Sequence, residues 1–141
     1  MSTEQNKAIA ERIRKEIFEQ DNLAVIDELV APDYVDHTND IHGRDGFKQM
    51  IIDMKTAFPD VRWTFHNVIA EGDKVVLHFT QHCTHTGKLV WWNIPPTGKK
   101  ISVTGIVIDR IEDGKLAERW LNMDVLGMLQ QLGVVSAIGD A

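Results

Sequence analysis

Cysteine is almost absent from this sequence, and long hydrophobic runs are missing altogether. The single cysteine, Cys83, has no partner for an internal disulfide, which is typical of a chain that works in a reducing cytosol. No apolar run approaches the roughly 18 residues that a membrane-spanning helix needs. The first residues also lack the basic and then apolar pattern of a signal peptide. We therefore expect a cytoplasmic protein.

Positive charge is scarce and scattered along the chain. The 15 Lys and Arg residues stand against 21 Asp and Glu residues, which gives a net charge of −6. Proteins that bind nucleic acid concentrate positive charge on one face, and no such stripe is visible here. The sequence therefore argues against a nucleic acid or an anionic membrane as partner.

The sequence also lacks motifs for cofactor binding and features that would divide the chain into several domains. There is no Gly-rich dinucleotide fingerprint, no P-loop and no HExxH motif, so we expect neither a metal nor an organic cofactor. No linker, repeat or low-complexity segment divides the 141 residues. Their composition, 43% hydrophobic and 26% charged, predicts one domain, 1–141, with a sizeable core.

Apolar residues follow a helical period first and an alternating period afterwards. Ile9, Ile13 and Ile17 form one helical stripe, and segment 47–58 forms another. Beyond Asp60 the alternation predicts strands at 62–70, 74–86, 89–94, 100–112 and 115–121, before a closing helix at 125–132. The fold class is therefore α+β, with a curled antiparallel or mixed sheet whose concave face carries the N-terminal helices. Such a cone can hold a pocket.

One carboxylate, Asp124, lies between a predicted strand and the short apolar closing helix. Trp120 and other apolar residues surround it in sequence, an environment in which a carboxyl group keeps its proton more readily and can act as a general base. A structural alternative is equally concrete. If Asn122 caps the helix, Asp124 belongs to the first turn, where it stabilises the helix dipole.

Short motifs then follow one another in a recognisable order over nearly the whole chain. They are Tyr34-Val-Asp-His37, Gly43-Arg-Asp-Gly46-Phe47, Ala57-Phe-Pro-Asp60, Glu71-Gly-Asp-Lys-Val-Val76, Thr84-His-Thr-Gly87, Pro96-Thr-Gly98, Asp113-Gly-Lys115, Trp120-x-x-x-Asp124 and Gln131-Leu-Gly133. In order and spacing they resemble a SnoaL-like polyketide cyclase, a member of the nuclear transport factor 2-like superfamily.

This resemblance implies a cone-shaped α+β barrel that assembles through its sheet, as a homodimer or a homotetramer. It also implies an intramolecular aldol ring closure without a cofactor, in which an acidic residue is the acid and base. By motif position that residue is Asp124. His37 matches the histidine after the family's first short strand and is expected to face the same cavity.

An aldol closure also needs donors for the enolate oxygen and a shaped cavity. Our candidates for substrate binding are Trp63, His78, Arg110 and Trp120. Structural alternatives remain open: His37 as a core histidine bonded to backbone, His78 on a face that meets a partner subunit, and Arg110 in a surface ion pair. The adjacent Trp91 and Trp92 lie on the predicted strand 89–94 and therefore point to opposite faces, so we expect that at most one lines a cavity and that the other is an interface residue.

The leading hypothesis is a cofactor-free acid/base enzyme for a small hydrophobic or aromatic carbonyl compound, with polyketide-cyclase-like ring closure as its reaction. An isomerase, a dehydratase or an epoxide hydrolase could use the same pocket. The competing class is a non-catalytic ligand-binding or dimerisation module. If the protein is such a module, we expect a filled cavity and an exposed Asp124 at a helix cap. If it is an enzyme, we expect an open pocket with Asp124 at its wall.

Overall fold

The first helix is fixed at its start by a reciprocal pair of side-chain hydrogen bonds. In the computed structural model, which describes residues 2–136, the Ser2 hydroxyl accepts from the Gln5 backbone N–H at 3.1 Å, and the Gln5 side chain accepts from the Ser2 N–H at 2.8 Å. Helix α1 (Thr3–Arg12) then continues as a π-helix, Ile13–Glu19. Ile13 and Ile17 of the predicted apolar stripe are buried in the core.

Three further helices complete the helical part. The short α2 (Ile26–Leu29) follows a 3-10 turn, and α3 (Gly43–Ala57) is the long amphipathic helix that the sequence predicts. It buries four side chains at helical spacing: Phe47, Ile51, Met54 and Ala57. Helix α4 (Val125–Gln131) is the last helix among residues 2–136. No helix within residues 2–136 is both long enough and apolar enough to cross a membrane.

Six strands form one mixed sheet. They are β1 (Val30–Asp36), β2 (Ile41–His42), β3 (Arg62–Glu71), β4 (Lys74–Thr84), β5 (Lys100–Glu112) and β6 (Lys115–Met123). Their spatial order is β2-β1-β6-β5-β4-β3. Strands β1 and β6 run parallel, and the other neighbours pair antiparallel. The predicted α+β class and mixed sheet are confirmed.

The sheet curls without closing. Strand β2 lies at one edge and β3 at the other, and no ladder joins them. The closed barrel implied by the sequence resemblance is therefore wrong for this chain, and the cone is an open one. Side chains alternate along each long strand, so that one face of the sheet packs against the helices and the other is exposed.

The segment 89–94 is not the strand that its alternation predicted. Residues Val90–Trp92 form a 3-10 turn, and a single bridge between Leu89 and Ile94 closes its base. Asn93 ends the turn with a φ of 52°, a left-handed conformation that asparagine tolerates better than most residues. Trp91 and Trp92 consequently do not alternate between two faces.

Candidate active site

A cavity of about 410 Å³ lies between the helices and the concave face of the sheet. Most of its wall is apolar and comes from the π-helix, α3, α4 and the inner rows of β3, β4 and β5. The polar side chains of the wall are few: Arg14, Asp36, Thr38, Asn39, Gln81, Asp109 and Arg119. An open, mostly apolar pocket with a few convergent polar groups is typical of a small-molecule site.

Strand pairing brings three charged residues into one row across the cavity wall. Asp36 on β1 lies opposite Arg119 on β6, and Arg119 lies opposite Asp109 on β5. All three are buried, at 2%, 7% and 1% exposure respectively. This row, called the acidic row below, holds two carboxylates and only one cation in an apolar cone. Buried charges of this kind are costly and need partners, so the row is a candidate functional site.

Arg119 and Asp109 form a bidentate ion pair. The Arg119 Nε donates to Asp109 Oδ1 at 2.7 Å and its Nη2 donates to Oδ2 at 2.9 Å. Burial disfavours the charge of Arg119, but the carboxylates of Asp109 and Asp36 outweigh that effect and raise its pKa. The guanidinium therefore stays charged. Its third nitrogen, Nη1, has no hydrogen bond to residues 2–136 and is not sealed from open space.

Aromatic rings support Arg119 from two helices. The guanidinium carbon lies 5.3 Å from the centre of the Phe18 ring on the π-helix and 5.9 Å from that of Phe47 on α3. Phe18 also packs edge-on against Trp63, with ring centres 5.7 Å apart. The orientation of the cation is thus set by helices as well as by its carboxylate partner.

Asp36 holds the turn that follows β1. Its carboxylate accepts from the backbone N–H of Thr38 at 2.9 Å, from that of Asn39 at 3.1 Å and from the Asn39 side chain at 3.2 Å. The Thr38 hydroxyl in turn accepts from the Leu121 N–H at 2.7 Å, which ties the turn to β6.

Gln81 is oriented by a tryptophan. The Trp63 indole N–H donates to Gln81 Oε1 at 3.2 Å, and Gln81 Nε2 lies 3.8 Å from the buried Cys83 sulfur. Burial raises the pKa of the Cys83 thiol to about 11, so this thiol is neutral and a poor nucleophile. With its oxygen occupied, Gln81 presents amide N–H groups as donors at the cavity wall.

Asp124 is a helix cap and does not line the cavity. It is exposed, and its carboxylate accepts from the Gly127 backbone N–H at 2.9 Å at the start of α4. The cap is Asp124 itself and not Asn122. The cavity is open, as the enzyme hypothesis requires, but the acid expected at its wall is elsewhere.

Four other candidates lie on the outer face of the sheet. His37 contacts Glu118 at 2.9 Å and stacks on Trp120 with ring centres 5.0 Å apart, and Arg110 donates to the same Glu118. The hydrogen bond from Arg110, and then that from His37, lower the pKa of Glu118. His78 contacts the Asn67 side chain at 3.0 Å. The expectation that His37 faces the cavity is wrong, and among the named candidates Trp63 alone lines it.

Each of these four residues directly follows, in the sequence, a residue whose side chain points inward. The residue immediately before it faces the cavity or core: Asp36 before His37, Leu77 before His78, Asp109 before Arg110 and Arg119 before Trp120. Neighbours on a strand point to opposite faces, which explains the systematic error. The sequence did contain a signal for the inward-facing site. Asp109 and Arg119 are charged residues that interrupt rows of otherwise apolar side chains on their strands. These rows contain Val103, Val107 and Ile111 on β5 and Leu121 on β6.

Comparison with known proteins now identifies the family. The family model described as SnoaL-like polyketide cyclase matches residues 8–132. The chain is similar to nogalonic acid methyl ester cyclase of Streptomyces nogalater, 28% identical over 113 residues, which cover 77% of this chain and 83% of the relative.

Solved structures show the same relationship. TsrD of Streptomyces laurentii superimposes with a TM-score of 0.84 and 26% identity, covering 96% of this chain and 99% of that one. AclR of Streptomyces galilaeus, named as a candidate hydroxylase, gives a TM-score of 0.82 and 25% identity, over 99% and 87% of the two chains. The chain therefore belongs to the SnoaL-like polyketide cyclase family and is a cyclase-type enzyme.

Proposed function

We propose that this enzyme closes a ring in a small, largely apolar carbonyl compound by an intramolecular aldol reaction, with Asp36 as the acid and base. The observation that carries the proposal is the acidic row, which places Asp36 beside the Arg119–Asp109 pair on the wall of the cavity. The similar cyclase from Streptomyces nogalater, named for a methyl ester, supports an uncharged carbonyl substrate.

Asp36 is a better base than Asp109 because of their partners. Both oxygens of Asp109 accept from the Arg119 guanidinium, so Asp109 acts as a positioning residue for that cation. Oδ2 of Asp36 accepts only one side-chain amide, from Asn39, and lies at the wall of the cavity. A carboxylate with unused lone pairs on a desolvated wall can accept a proton from carbon.

The reaction then balances within one substrate molecule. Asp36 removes a proton from the carbon next to a carbonyl, and the enolate oxygen accepts a hydrogen bond from Arg119 Nη1. The enolate carbon bonds to a second carbonyl carbon of the same molecule, which the apolar wall holds near the first. The protonated Asp36 returns its proton to the new alkoxide, so no atom is gained or lost.

The test uses two matched Asp→Asn variants. A panel of diketones and polyketide-like esters is incubated in D₂O, and proton NMR follows α-deuteration and ring closure. Asp36→Asn should lower both rates by about 10²–10⁴-fold, the usual contribution of a general base. Asp124→Asn, an exposed cap that asparagine also fills well, should keep nearly full activity. The opposite pattern would assign the base to Asp124 and refute the proposal.

A further inference from the structure

The loop between β4 and β5, residues 85–99, is held rigidly at its base. The buried His85 side chain accepts from the Thr97 backbone N–H at 3.2 Å and contacts the Thr97 hydroxyl at 3.0 Å. Burial lowers the pKa of His85 and keeps it neutral, as an acceptor must be. Gly87 packs so closely on the end of α3 that an added Cβ would lie 1.7 Å from the Thr56 carbonyl oxygen. This loop is therefore a fixed wall of the cone.

Two tryptophans at the end of this loop have an unusual combination of properties. Trp91 and Trp92 both line the cavity, yet each is 45% exposed. Residues that line a cavity and also face solvent lie at its opening. The 3-10 turn makes this possible, because successive residues turn by about 120° and not by the 180° of a strand. The two ring planes are nearly perpendicular, at 81°, with centres 6.4 Å apart.

The cavity offers two different surfaces to a ligand. Aromatic rings of Trp91 and Trp92 stand where the loop 85–99 meets solvent, whereas Asp36, Asp109 and Arg119 form a buried row on the wall. With two carboxylates and one cation, this row disfavours an anionic group beside it. A molecule that satisfies both surfaces has an uncharged oxygen group that reaches the row and a ring that reaches the tryptophans.

We propose that Trp91 and Trp92 form the specificity-determining subsite for a flat, uncharged ring of the substrate. The ring stacks on one indole and meets the edge of the other, an arrangement that aromatic rings prefer. Its carbonyl then points toward Arg119; this orientation rests on the proposed function, whereas the ring subsite itself requires no catalysis. Flat, conjugated carbonyl compounds should therefore bind better than puckered ones of the same skeleton.

A matched pair of probes tests the subsite directly. The compounds 2-acetylnaphthalene and 2-acetyldecalin share one carbon skeleton and one ketone, but only the first is flat. Dissociation constants are measured by calorimetry for the full-length protein and its variants. Wild type should prefer the flat probe, and Trp91→Ala or Trp92→Ala should weaken its binding by about three- to tenfold, the range expected for one aromatic pair. Binding of the puckered probe should change less than about twofold.

The chain supplies its own control in the same turn. Val90 is 43% exposed but does not line the cavity, so Val90→Ala should leave both dissociation constants unchanged. Trp91→Phe should restore much of the flat-ring preference, and proton NMR should show upfield ring-current shifts of the naphthalene signals that the Trp→Ala variants reduce.

The outcomes separate this inference from the proposed function. The ring subsite would be overturned if the Trp→Ala variants bound both probes equally more weakly, or bound both as tightly as wild type does. It would also be overturned if these variants changed the sedimentation of the protein and left the dissociation constants of both probes unchanged. Asp36→Asn should abolish ring closure and keep the flat-ring preference. If the preference persists while Asp36→Asn remains active, the proposed function fails and the subsite stands.

Discussion

Replacing Arg119 should destabilise the fold more than almost any other single change. Arg119 and Asp109 are 7% and 1% exposed and share two hydrogen bonds. Arg119→Met leaves Asp109 and Asp36 buried without their cation, a situation that costs about 3–5 kcal/mol. For a domain of this size we expect the melting temperature to fall by about 10–15 °C.

Urea denaturation followed by circular dichroism measures this loss, with the m-value checked for constancy. A second substitution, Asp109→Leu, removes the uncompensated carboxylate, so the double variant should be at least about 2 kcal/mol more stable than the sum of the single losses. The matched control is Arg110→Met, which breaks an ion pair on the outer face and should cost less than about 1 kcal/mol. Equal losses for Arg119→Met and Arg110→Met would refute the buried acidic row.

Three further predictions concern the rest of the chain. Asp124→Ala should cost about 1 kcal/mol and leave ring closure intact, because it removes the side chain that caps helix α4 and that side chain does not line the cavity; a thermal melt and the deuteration assay check both parts. Because the pKa of His85 is lowered in the folded state, the unfolded chain binds more protons below pH about 6.5, so this contribution to stability is present above that pH and lost as the pH falls. His85→Asn should therefore flatten the fall in stability between about pH 7 and pH 5, and an unchanged slope would contradict the assignment. We also propose self-association through the outer sheet face, where Ile69, Val76, Ile108 and Trp120 form one apolar row by strand register; Ile108→Lys should give a smaller species in analytical ultracentrifugation, and an unchanged mass would refute it.

The fold was largely predictable because its signals are local. The capping box at Ser2, the period of α3 and the alternation of β4 and β5 each act within a few residues, and each element formed where its pattern indicated. The segment at Trp91 failed for a physical reason. Its apolar run suits a strand, but only a β-bridge between Leu89 and Ile94 forms, and the chain between them turns.

The site was less predictable because it depends on which face of each strand curls inward. Alternation shows that His37 and Asp36, or Arg110 and Asp109, face opposite sides, but not which side the helices cover. The parallel pairing of β1 with β6, which sets Asp36 beside Arg119, joins residues far apart in sequence and leaves no local trace. Asp124 is a different case. It occupies the position of the family's acidic motif residue, and in the structure the same residue caps helix α4.

The π-helix Ile13–Glu19 connects the backbone of the first helix to the buried cation. A π-turn holds one residue more than an α-turn, as the hydrogen bond from Gln20 N–H to the Lys15 carbonyl at 3.0 Å shows. The Phe18 ring that supports Arg119 comes from this widened segment. Its support of the cation therefore depends on a backbone geometry that an ordinary α-helix does not have.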